Sequence, residues 1–106
     1  MGQIIVAKLL NAATATGAGS SCDKPRGSCT YHIIGSTTAG AGAATVTLEV
    51  SNDETDNFLV VKTFNLVLGT SIVGDGFEVT ASWQKIRANV TAISGTGASV
   101  TVYQGF

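Results

Sequence analysis

Apolar and polar residues alternate with a period of two along Thr45-Val46-Thr47-Leu48-Glu49-Val50, so Val46, Leu48 and Val50 share one face of an extended segment. Phe77, Val79 and Ala81 repeat the pattern, as do Ile86, Ala88, Val90 and Ala92 opposite Lys85, Arg87, Asn89 and Thr91. Val100 and Val102 stand opposite Thr101 and Tyr103. A helix buries residues spaced three or four apart, whereas a strand with one covered face buries every second residue. Residues 58–68 are more continuously apolar, and Leu59, Val60 and Val61 in a row imply cover on both faces or a bulge. Residues 31–34 and 4–10 bring the count to about seven strands. Turn signals fall between them at Gly40-Ala41-Gly42, Ser51-Asn52-Asp53, Gly74-Asp75-Gly76 and Gly95-Thr96-Gly97. The pattern predicts an all-β fold: a single antiparallel β-sandwich, jelly-roll or immunoglobulin-like, with an N-terminal strand or arm. Its inward set is Val46, Leu48, Val50, Phe77, Val79, Ile86, Val90, Val100 and Val102.

With 106 residues the chain is expected to form one domain, long enough to bury roughly two thirds of its unfolded surface. Charged residues make up 12% of it, about half the usual share. Thr, Ser, Ala and 13 Gly take their place, which disfavours helices and leaves a surface that charge does little to keep apart from its neighbours. Six basic against seven acidic residues, with no basic cluster, argue against a nucleic-acid partner. No apolar run approaches the roughly 20 residues of a membrane-spanning helix, so no membrane role is expected. The opening stretch ends in an A-x-A-like Ala13-Thr14-Ala15, but it lacks a basic start and Lys8 interrupts it, which speaks against a signal peptide.

The Ala-, Thr-, Gly- and Ser-rich residues 11–28 look like a flexible linker between a strand or arm at residues 1–10 and a sandwich at residues 29–106. A strand on so loose a tether can pair with a neighbouring copy as readily as with its own sheet. Ile4, Ile5, Val6, Leu9 and Leu10 are therefore the candidate inter-subunit contacts.

No catalytic constellation is recognisable, and no cofactor or metal is expected. Cys22 and Cys29 flank Asp-Lys-Pro-Arg-Gly-Ser, and a disulfide there would contribute roughly 2.5 kcal/mol by loop entropy; two free thiols are the other reading. Adding His32 gives three candidate zinc ligands at a spacing that is weak support for a site. Asp53, Glu54 and Asp56 cluster in a turn without calcium-loop spacing, which favours a solvated turn. Trp83 with Tyr103 could form a sugar-stacking platform, although a Trp beginning a sandwich strand is more often a core plug. Asn89-Val90-Thr91 matches a glycosylation sequon that matters only in a secretory pathway.

The segment Trp83-Gln84-Lys85-Ile86-Arg87-Ala88-Asn89-Val90-Thr91, with Gly95-Thr96-Gly97-Ala98-Ser99-Val100-Thr101-Val102-Tyr103 after it, resembles the end of small β-sandwich virion proteins of tailed bacteriophages, head decoration or cement proteins among them. The resemblance covers about the last third of the chain. It implies a non-enzymatic, multi-copy role on a virion assembled in the host bacterial cytoplasm. The partners it implies are further copies, as a trimer or another small symmetric oligomer, and the major capsid protein. It transfers no individual functional residue. A carbohydrate-binding β-sandwich module and a tail or fibre component are the alternatives.

Overall fold

The computed structural model describes residues 6–19, 21–23, 28–53, 55, 57–81 and 83–105, with the side chains of Val6, Ala7, Cys22 and Asp23 outside the description. Among the described residues nine strands follow in order: β1 (Val6–Ala13), β2 (Gly17–Ala18), β3 (Cys22–Asp23), β4 (Cys29–Ser36), β5 (Ala39–Ser51), β6 (Leu59–Leu68), β7 (Val73–Val79), β8 (Lys85–Thr96) and β9 (Ser99–Gly105). They form two antiparallel sheets. The first has the order β1-β9-β4-β7; the second runs from β8 through β5 to β6, with the two-residue β2 and β3 both paired along the outer edge of β8. The chain crosses between the sheets at nearly every connection, and this strand order is that of a jelly roll, which decides between the two expected sandwich types.

The core lies between the sheets, as the alternation predicts. Val46, Leu48, Val50, Val79, Ile86, Val90, Val100 and Val102 are buried, and Phe77 is half-buried against them. Tyr31 also turns inward, and its hydroxyl donates to Gln104 Oε1 at 2.8 Å, so this buried polar pair is satisfied.

Bulges on β6 and β8 shift the alternation in the second sheet. On β6 Leu48 faces Lys62 and Glu49 faces Val60, so Val61 is the extra residue; of the two readings of Leu59-Val60-Val61, a bulge is what forms, and Leu59 and Val60 stay exposed. On β8 Thr45 faces Ala92 and Val46 faces Val90. Thr91 is the extra residue, so Ala92 is exposed and Ile93 packs against the core in its place. Ala81 is likewise exposed, because β7 ends at Val79.

Of the two N-terminal readings, a strand or an arm, the strand is what forms. Val6–Ala13 is the edge strand of the first sheet, paired with β9, rather than an arm detached from its domain. Lys8 faces Tyr103 and Leu10 faces Val102, so Leu9 is bulged and both leucines turn into their own core, at 5% and 8% exposure. Leu9 and Leu10 are thus consumed within the domain instead of being offered to a neighbour. Ile4 and Ile5 lie outside the described residues, as does the Val6 side chain. Within the expected linker at 11–28, the described residues carry the end of β1 and both short strands of the second sheet. Gly19 fixes its path, since its N–H donates to the Ala88 carbonyl at 2.8 Å and a Cβ on it would lie 2.3 Å from the Leu9 carbonyl oxygen. Glycine is there because the backbone passes too close for any side chain.

Candidate functional site

Three surfaces carry side-chain chemistry, and each follows from strand register. Across the outer face of the first sheet runs a row formed by Lys8 on β1, Tyr103 on β9, His32 on β4 and Gly76 on β7, each facing the next. The His32 and Tyr103 rings lie 5.9 Å apart at 32°, and Lys8 Nζ sits 5.8 Å from the Tyr103 ring centre. Beyond His32 the surface drops into an open depression of about 720 Å³, lined by Thr30, His32, Gly74, Gly76 and Glu78.

The outer face of the second sheet holds a polar network centred on Glu49, which is only 6% exposed. Facing residues Glu49 and Arg87 form an ion pair at 2.7 Å from Oε1 to Nε. Thr47 Oγ1 and Asn89 Nδ2 donate to Oε2 at 2.8 and 3.1 Å. The Phe58 ring lies 3.9 Å from the Arg87 guanidinium carbon, covering the pair. Burial alone would raise the Glu49 pKa, but the hydrogen bonds from Arg87, Asn89 and Thr47 and the Arg87 charge together hold it below its ordinary value. Every partner is a donor to a carboxylate kept ionised. This is a structural clamp between β5 and β8, since a general acid or base needs a pKa moved towards working pH.

The third surface is the free edge of β6. Edge strands are usually blunted, and two of the other edges here are: β1 by its bulges, and β8 by β2 and β3. From Lys62 to Leu68, β6 runs without interruption. Its outward-facing Val67 is 80% exposed, and Ile72 in the following turn is 68% exposed. Lys62, the one charge on β6, faces Leu48 on the inner side, with its Nζ 5.7 and 5.4 Å from the Phe64 and Phe77 ring centres.

The residues singled out from sequence are distributed as follows. The backbone of Cys22 faces Ile86 in the second sheet and that of Cys29 faces Val79 in the first. Cys29 is buried, while the Cys22 side chain lies outside the described residues, and so does any bond between them. On β4, Cys29 is on the inner face and His32 on the outer, so the three-ligand zinc arrangement does not form. Among the described residues no group of three His, Cys, Asp or Glu converges. In the acidic turn, the Asp53 carboxylate accepts from the Thr55 N–H at 2.9 Å, from its hydroxyl at 2.8 Å and from the Asn57 amide, and these bonds, that from Asn57 foremost, lower its pKa. Glu54 and Asp56 lie outside the described residues. Trp83 packs against the core, as a plug does, while Tyr103 faces out of the first sheet, so the two rings share no platform. The aromatic neighbour of Tyr103 is His32. The Asn89 amide of the sequon is engaged with Glu49.

No protein-family model and no curated protein matches the chain. Among solved structures, the SPBc2 prophage-derived protein YomS superposes with a TM-score of 0.66 at 16% identity, over 97% of this chain and 91% of that one. A carbohydrate-binding module, CBM4, superposes with a TM-score of 0.51 at 11% identity, over 96% of this chain and 66% of that one. At these identities the likeness is one of fold: a β-sandwich found in a prophage-derived protein and in a carbohydrate-binding module.

Proposed function

We propose that this chain is a non-enzymatic, multi-copy structural component of a tailed-phage virion, of the capsid decoration or cement type, which joins a second copy of itself through the open edge of β6. The observation that carries the reading is that edge. Seven uninterrupted residues whose alternate backbone groups point away from β5 towards no other described strand, an exposed Val67 and no outward charge are what a protein that stays alone avoids. The strand is also compatible with itself. Antiparallel pairing of two β6 strands about Asn65 sets Val67 against Thr63 and Phe64 against Leu66, keeps the inner face inner, and brings no like charges opposite one another. The cross-strand pairing of Val67 with Thr63 contributes about 0.2–1 kcal/mol per copy besides the new backbone hydrogen bonds. The low charge of the whole chain and the fold shared with a prophage-derived protein support the same reading. In a particle, repeated weak contacts with the shell add up through avidity.

The test is light scattering after size exclusion on the wild-type chain and on Val67→Lys, which places the usual edge-guarding charge on β6. The expected result is an oligomer that the substitution dissociates without changing the circular dichroism. A wild-type chain that stays monomeric at high micromolar concentration contradicts the reading. A second reading, a carbohydrate-binding module, is favoured by one observation: the ring row and depression on the outer face of the first sheet.

A further inference from the structure

We propose that the outer face of the first sheet is a binding site for a neutral polysaccharide, laid across the Tyr103 and His32 rings into the depression above Gly76. The proposal deepens the carbohydrate reading by naming its site, and it is independent of whether β6 joins copies together.

Gly76 is the pivot. It lies within β7, where glycine weakens a strand and commonly marks the close approach of a ligand or another backbone. Its backbone lies outside the left-handed region, and a Cβ on it would meet nothing nearer than the Tyr31 carbonyl oxygen at 3.5 Å, an ordinary contact. Neither conformation nor crowding requires glycine here. What its missing side chain provides is the empty volume over the strand, which is the floor of the 720 Å³ depression. Gly74 differs, since a Cβ there would lie 2.9 Å from the Ile33 carbonyl oxygen, so that glycine has a packing reason.

The chemistry around the floor is that of sugar recognition. The Tyr103 and His32 rings, tilted by 32°, offer apolar surface to the C–H faces of a pyranose. Glu78 and the Thr30 hydroxyl line the depression and can accept from sugar hydroxyls. On this face Lys8 at one end of the row and Glu78 at the other balance, which fits a neutral chain rather than an anionic one. The row crosses four strands, about 14 Å at ordinary strand spacing, and opens to solvent along its length, so it suits a polymer lying on the sheet better than an enclosed small molecule.

The experiment is affinity electrophoresis of the full chain in native gels containing soluble xylan, mixed-linkage β-glucan, mannan or galactan. The expected result is retardation in at least one gel, abolished by Tyr103→Ala and weakened at least tenfold by His32→Ala. Gly76→Val should also abolish it while leaving the thermal midpoint unchanged or raised, because the added side chain enters open space and favours the strand. Migration unaffected by all four polysaccharides overturns the proposal. So does retardation that survives Tyr103→Ala, or a Gly76→Val variant that loses stability, which would give that glycine a structural role. The oligomeric state of each variant, measured in parallel, stays that of the wild type, so failure here leaves the β6 reading standing.

Discussion

Replacing Glu49 by Gln tests the clamp on the outer face of the second sheet with almost no change in shape. The carboxylate accepts on both sides, from Arg87 at Oε1 and from Thr47 and Asn89 at Oε2. A glutamine presents one oxygen and one NH₂ group, so whichever way it turns, one side sets donors against donors. Hydrogen bonds to a charged group are worth about 1.5–3 kcal/mol each when lost. Arg87 is 29% exposed, and water recovers part of its loss, which brings the expected cost to about 2 kcal/mol. For a domain of this size that is a fall in Tm of about 10 °C. Urea unfolding of both proteins at a series of pH values is the assay. The Glu49 pKa is lowered in the folded state, so its contribution is fully present above the unfolded value and is lost as pH falls through the folded one. The gap between wild type and variant should therefore be widest near neutrality and close under acid. Comparing the two proteins cancels the similar pH dependence expected from Asp53. Equal stability at pH 7, or a gap that does not narrow in acid, would refute the clamp.

Other outcomes follow from the core and the N-terminal strand. Val90→Asp should leave the chain unfolded by circular dichroism, since it sets an unpaired carboxylate against Val46 in a fully closed interior; a cooperative melt near the wild-type midpoint would show the register to be wrong. Leu9→Ala should cost about 2–5 kcal/mol in chemical denaturation, as a core leucine does, whereas an inter-chain contact would leave the isolated domain unaffected. Removing residues 1–10 should destabilise the sandwich outright, because most of β1 goes with it; an unchanged melting curve would contradict its place in the first sheet.

What was legible in the sequence is what alternation encodes. The strands around Val46–Val50, Ile86–Val90 and Val100–Val102 carry their inner face in their periodicity, and these residues close the core. Bulges are harder, because one extra residue inverts the pattern after it without a distinctive composition. Three apolar residues in a row mark Val61, but nothing marks Thr91, and alternation alone puts Ala92 inward where Ile93 belongs. The partner of the N-terminal strand is hard to read for a related reason. Leu9-Leu10 fits no alternation until Leu9 is bulged, and a linker rich in Gly and Ser looks loose until Gly19 is seen pressed against the Leu9 backbone. The Glu49 clamp and the Tyr103–His32 row depend on which strands are neighbours. Glu49 and Arg87 are 38 residues apart, and only the jelly-roll order brings β5 beside β8 and β4 beside β9. Nothing in local sequence specifies that order. Gly74-Asp75-Gly76 has the composition of a turn but lies inside β7, and what distinguishes its glycines is the space above each.

The most direct test of the chain's proposed role is quantitative mass spectrometry of tailed-phage particles purified from a lysate in which this chain is expressed, with the chain measured against the major capsid protein. The account predicts that it is present at a fixed, high ratio to the shell protein that survives repeated density-gradient purification. Its absence from purified particles, or a trace amount that falls with each round, would contradict the account.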